Sequence, residues 1–84
     1  MGKEKSLMKI LDGRHDKSLD FRELQSAIEA AGFSLDHVTG DHHIYIKESI
    51  PEIINLQPGK SGNAKPYQVK QVREIITKYH LGGD

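Results

Sequence analysis

The sequence predicts an α+β domain with the order α-β-β-β-α, preceded by one short extra helix. Three observations carry the expectation. Two stretches, one at 20–31 and one beginning at Pro66, repeat apolar residues at helical spacing. Between them lie three short runs of strand-forming residues. The connections between those runs are brief, which favours an antiparallel meander over crossovers. The expected architecture is a three-stranded antiparallel sheet with the two amphipathic helices covering one face.

The elements follow in order. In residues 3–11, Leu7, Ile10 and Leu11 fall at helical spacing, and Asp12-Gly13 closes that short helix before a polar connection at 14–17. Asp20 can cap the next helix, and Glu23 three residues later completes a capping-box pattern. Phe21, Leu24, Ile28 and Ala31 then share one face, and Gly32 suits the left-handed residue that ends such a helix. The extended runs are FSLDHV (33–38), HIYIKE (43–48) and EIINLQ (52–57). Thr39-Gly40-Asp41 and Ser49-Ile50-Pro51 separate them, and Pro58-Gly59 stops the third. GKSGNAK (59–65) is a flexible loop. Pro66 opens the last helix, where its missing N–H costs nothing. Val69, Val72, Ile76 and Tyr79 line one face of it, and Gly82-Gly83 is the expected stop. The chain thus divides into a helical extension, 1–19, and a domain, 20–84.

Composition bounds the function. Eighty-four residues make one small domain with a single core. No apolar run approaches the ~18 residues that span a bilayer, and MGKEKSLMKI lacks a signal-peptide core. The absence of cysteine excludes a disulfide framework and thiolate metal sites, so a cytoplasmic location is expected. Zero net charge excludes a strongly basic nucleic-acid binder. The charge is uneven, however. No acid occurs between Ile53 and Arg73, where Lys60, Lys65, Lys70 and Arg73 fall, and this makes a local anion-attracting region.

Two motifs mislead. PGKS (58–61) imitates the end of a phosphate-binding P-loop, but the required first glycine would be position 54, which is Ile54. In TGDHHIYIK (39–47) two histidines stand side by side at the start of a strand. Adjacent strand residues point to opposite faces, so His42 and His43 do not converge on one ion, and no metal site is expected. Two solvated strand-edge histidines are the plain alternative to a catalytic role.

The surrounding segments weigh against that alternative. A helix ending in Ala31-Gly32-Phe33 precedes Gly40-Asp41-His42-His43-Ile44-Tyr45. The third strand ends in Asn55-Leu56-Gln57, and the loop GNAKPYQVKQ (62–71) enters the last helix. In this order and spacing the chain, from about Asp20 to Leu81, resembles the HicA (YcfA-like) mRNA interferase toxins, whose signature is G-[ST]-H-x-x-[FY]. The resemblance implies a double-stranded-RNA-binding-domain-like fold. It also implies the toxin of a type II toxin–antitoxin system, a metal-independent endoribonuclease without cofactor, acting on mRNA and checked by a HicB-type antitoxin. His42 occupies the position of the catalytic histidine. Asp41 replaces the Ser or Thr of the signature, where a carboxylate either orients the histidine or repels the RNA phosphate.

The chemistry is consistent with the residues. RNA is cut without a metal when its 2′-hydroxyl attacks the adjacent phosphate while a base removes the proton. A histidine suits that exchange near neutral pH. A cation is then needed for the charge that develops on phosphorus. Lys65, at the start of a helix, is the first candidate, and Lys60, on a looser loop, the second. His43 and Lys70 complete the candidate RNA-contacting set, with ordinary solvated charge as the alternative role for the lysines. Tyr45 is expected in the core rather than as a base-stacking platform. If Tyr45 faces the helices, then His42, Ile44 and Ile46 face the open side. Hydrophobicity alone favours the opposite phase, and the resemblance selects the first. A non-catalytic RNA-binding module and a protein-interaction domain of the same fold are the two other functional readings.

Overall fold

A computed structural model describes residues 2–81. Its elements are α1 (Gly2–Asp12), α2 (Phe21–Ala30), β1 (Ser34–Thr39), β2 (His42–Ile46), β3 (Ile54–Leu56) and α3 (Pro66–Lys78), with a 3₁₀ turn at Lys60–Gly62. The sheet is antiparallel and its spatial order is β1-β2-β3, the expected meander.

Local chemistry sets the helix ends. The Asp20 carboxylate accepts from the Glu23 backbone N–H at 2.7 Å, and the Glu23 carboxylate accepts from the Asp20 N–H at 3.2 Å, so the capping box is closed. At the other end of α2, Gly32 adopts φ +103° while Phe33 N–H donates to Ile28 C=O and Gly32 N–H to Glu29 C=O. That Schellman motif turns the chain from helix to strand and drops Phe33 into the core. The end of α3 differs from expectation. The same motif forms one residue past Tyr79, with His80 at φ +56° and Leu81 N–H donating to Ile76 C=O. A histidine fills the position that glycine favours, and Gly82-Gly83 lies outside the described residues.

β2 and β3 are shorter than the extended runs, and β1 keeps the length of its run but begins and ends one residue later. Ile50 N–H donates to Lys47 C=O, a turn that takes Lys47 and Glu48 out of β2. Gln57 N–H donates to the buried Gln68 side chain instead of continuing the ladder, so β3 stops at Leu56. Between Leu35 and His37 a register shift leaves Asp36 unpaired, and all six residues of β1 are exposed.

One face of the sheet supplies Tyr45, Ile54 and Leu56 to the core, each 4% exposed or less. Against them lie Leu24, Ala27 and Ile28 of α2 and Val69, Val72 and Ile76 of α3. The Tyr45 hydroxyl accepts from Gln25 Nε2 at 3.0 Å, so burial leaves no orphan polar atom there. The N-terminal segment belongs to this same core. Leu7, Ile10 and Leu19 are buried in it, each contributing about 1.5–3 kcal/mol by removal from water. Polar clamps hold α1 in place: Lys9 pairs with Glu23 at 2.7 Å, and Arg73 reaches both the Asp16 carboxylate and the Ile10 carbonyl.

Candidate active site

The site grows from the β1–β2 hairpin. Thr39 pairs with His42, so Gly40-Asp41 is a two-residue turn, and Gly40 takes φ +61° as the first central residue. Glycine is required there for its conformation, since no heavy atom lies within 4 Å of where a Cβ would stand. That open space lies just ahead of His42.

Alternation along β2 then separates the two histidines. Tyr45 is buried against the helices, which puts His43 on the same face and His42, Ile44 and Ile46 on the open one. This is the phase that hydrophobicity alone disfavours, and it leaves Ile46 exposed and Ile44 half-buried. The His43 ring packs edge-on against Phe21, with centroids 5.0 Å apart, and its Nδ1–H donates to the Asp41 carbonyl at 3.1 Å. It also lines a groove with Arg22, Gln25, Pro58 and Ser61. The pair is divided between two surfaces.

His42 is half-buried and tied at both ring nitrogens. Nδ1 lies 3.2 Å from Asn55 Oδ1, and Nε2 lies 3.3 Å from Gln57 Nε2. The register explains why. His43 pairs with Leu56 and Ile44 with Asn55, so one step beyond the ladder Gln57 falls across from His42 on the open face. The Gln57 amide also donates to Asp41 Oδ1 at 3.2 Å and accepts from Lys65 Nζ at 3.4 Å. The Gln57 amide holds the Asp41 carboxyl below the usual carboxylate range, and the charges of His42 and Lys65 add to the effect. Asp41 is therefore part of a network with the histidine and the lysine rather than an isolated repulsive charge.

Of the residues singled out from sequence, the structure brings His42 and Lys65 together with Asp41, and Gln57 bridges them. Lys60 stands on the 3₁₀ turn and Lys70 on α3, both exposed. Arg73 does not join the basic region. It is turned away to Asp16 at 2.8 and 3.0 Å, because an acid distant in sequence meets it in space. Asn55 and Gln57 are partners of His42 that the sequence pattern does not single out. Their period-2 spacing puts them on one face, but only the pairing register aims them at His42. Among the described residues no group of three or more His, Cys, Asp or Glu is placed to hold a metal ion. No helix among them is long and apolar enough to cross a membrane.

A sequence model of the family described as HicA toxin of bacterial toxin-antitoxin matches residues 21–77. The chain belongs to the HicA toxin family. Comparison with curated proteins and with solved structures gives no match. The HicA match begins at the first residue of α2 and ends in the last turn of α3. Every member of the His42 network lies inside it, and α1 lies outside.

Proposed function

We propose that this HicA-family chain is a toxin that cleaves mRNA without a metal ion, using His42 as general base and acid. Family membership supports the toxin role and nuclease activity. The observation that carries the histidine assignment is its position: His42 is held by both ring nitrogens at the open end of β2, with Lys65 one amide away. In the proposed reaction His42 Nε2 takes the proton of a 2′-hydroxyl, and the freed oxygen attacks the adjacent phosphorus. The P–O5′ bond breaks, and the products are a 2′,3′-cyclic phosphate and a 5′-hydroxyl. The 5′-oxygen recovers a proton from the imidazolium or from solvent. Lys65 offsets the charge on the phosphorane, and positioned acid–base catalysis contributes about 10²–10⁴-fold.

The RNA strand runs over Lys65 and Lys60, with Lys70 on α3 and the groove at His43 as further contacts. Residues 20–84 form the catalytic unit, and 1–19 brace it from outside the family region. A HicB-type antitoxin is the proposed partner for the open sheet face, where Ile46 is uncovered. The test is induced expression of the wild-type chain beside His42→Ala, scored for growth and mRNA integrity. Growth arrest with mRNA loss in the wild type alone is expected. Equal mRNA integrity in both strains would instead favour a non-catalytic RNA-binding or protein-binding domain.

A further inference from the structure

We propose that Gln57 is a positioning residue that fixes His42 in its Nδ1–H tautomer, with Asp41 and Lys65 fixing Gln57 in turn. The inference rests on His42 being the base of the proposed reaction, and its logic is that of donors and acceptors. A glutamine amide can be placed either way round, so its partners must decide the orientation. Here they do. The Asp41 carboxylate only accepts, and it lies 3.2 Å from the amide nitrogen. The Lys65 ammonium only donates, and it lies 3.4 Å from the amide oxygen. Rotating the amide by half a turn would set carbonyl against carboxylate and NH₂ against ammonium, two repulsive contacts in place of two attractive ones.

The orientation of Gln57 then dictates the histidine. Its NH₂ group faces His42 Nε2 at 3.3 Å, so that nitrogen must carry the lone pair. A neutral imidazole has one N–H, and it must therefore sit on Nδ1. Nδ1 faces Asn55 Oδ1 at 3.2 Å, an acceptor, so the chain closes with every donor meeting an acceptor. The lone pair is thereby held on Nε2, the nitrogen assigned to take the 2′-hydroxyl proton. A neutral histidine side chain free in water prefers the other tautomer, with the proton on Nε2. The same contact occupies the lone pair until RNA arrives, and the incoming hydroxyl replaces the Gln57 amide there. This gives the aspartate at position 41 a role through Gln57, without contact to substrate.

The test is long-range proton–nitrogen correlation spectroscopy on the full chain, uniformly ¹⁵N-labelled by cell-free synthesis, at a pH where the imidazoles are neutral. His42 is assigned among the five histidines by loss of its signals in His42→Ala. The wild type is expected to show the Nδ1–H pattern at His42. Gln57→Met, which keeps the bulk and the backbone N–H bond to Gln68, is expected to move the ring toward the Nε2–H form and to slow RNA cleavage at least tenfold. Asp41→Asn, whose side-chain carbonyl still accepts from Gln57, is expected to retain the wild-type pattern. An Nε2–H pattern in the wild type, or an unchanged pattern in Gln57→Met, overturns the proposal. The spectrum is read without RNA, so the two ideas fail separately. An Nδ1–H pattern in a chain that cuts no RNA refutes the nuclease and leaves the network intact. An Nε2–H pattern in an active nuclease does the reverse.

Discussion

Replacing Ile10 by alanine measures whether α1 is part of the folded core or an appendage on it. Ile10 is fully buried, and the substitution removes three carbons. At ~0.8 kcal/mol per methylene-sized group, the transfer loss alone is about 2.4 kcal/mol. The cavity left behind adds to this, because Leu7, Leu24 and their neighbours relax only in part. The expected cost is about 2–5 kcal/mol. A chain of 84 residues has roughly 4–13 kcal/mol of stability in total, so the loss would be obvious. Met8 on the same helix is 70% exposed and provides the control, and Met8→Ala should change stability by no more than about 0.5 kcal/mol. Both variants are made in a His42→Ala background to avoid toxicity and unfolded in urea. If Ile10→Ala costs less than about 1 kcal/mol, or no more than Met8→Ala, α1 does not pack as described.

Four further outcomes are expected. RNA cleavage survives excess EDTA; activity lost to EDTA and restored by zinc or manganese would refute acid–base catalysis by His42 alone. Lys65→Ala weakens RNA binding and lowers the salt slope by about one, and an unchanged slope would move the phosphate contact elsewhere. His43→Ala keeps most cleavage but lowers stability by about 0.5–1.5 kcal/mol, the worth of its edge contact with Phe21, in contrast to His42→Ala. Stability should also fall in acid. Asp12 (by Arg14), Glu23 (by Lys9), Asp41 (by Gln57) and Glu52 (by Tyr79 and Lys78) are all held below the usual carboxylate range in the fold. Their stabilisation is complete above the unfolded value of about 4 and is lost as pH falls through the lowered folded values. Thermal melts should be level from pH 7 to 5 and drop below about pH 4; a Tm that holds to pH 2.5 would contradict the ion pairs.

Local signals were legible in the sequence, and contacts between distant segments were not. Asp20, Glu23 and Gly32 specify both ends of α2 within a dozen residues, so chemistry read along the chain was sufficient. The choice of face for His42 was not available from hydrophobicity, because Ile44 and Ile46 outweigh one tyrosine in any apolar count. Tyr45 lies inside with its hydroxyl satisfied by Gln25, a contact across twenty residues. The same limit hid the partners of His42. Asn55 and Gln57 look like ordinary polar positions until β3 is laid beside β2 in register. Arg73 looked like part of a basic surface because Asp16, its partner, is 57 positions away.

That long reach bears on how the protein is made. Synthesis proceeds from the N-terminus at about 5–20 residues per second, and segments fold as they become available. The clamp on α1 comes from Arg73, and the ends of the His42 network come from Gln57, Lys65 and the Gln68 anchor. A nascent chain that has exposed only its hairpin has His42 but neither the lysine nor the braced core. Closing contacts over more than fifty residues also slows the final step relative to forming the helices. The His42 network and the brace on α1 are therefore completed late in folding, by residues 57 to 73, which are made after every segment they close upon.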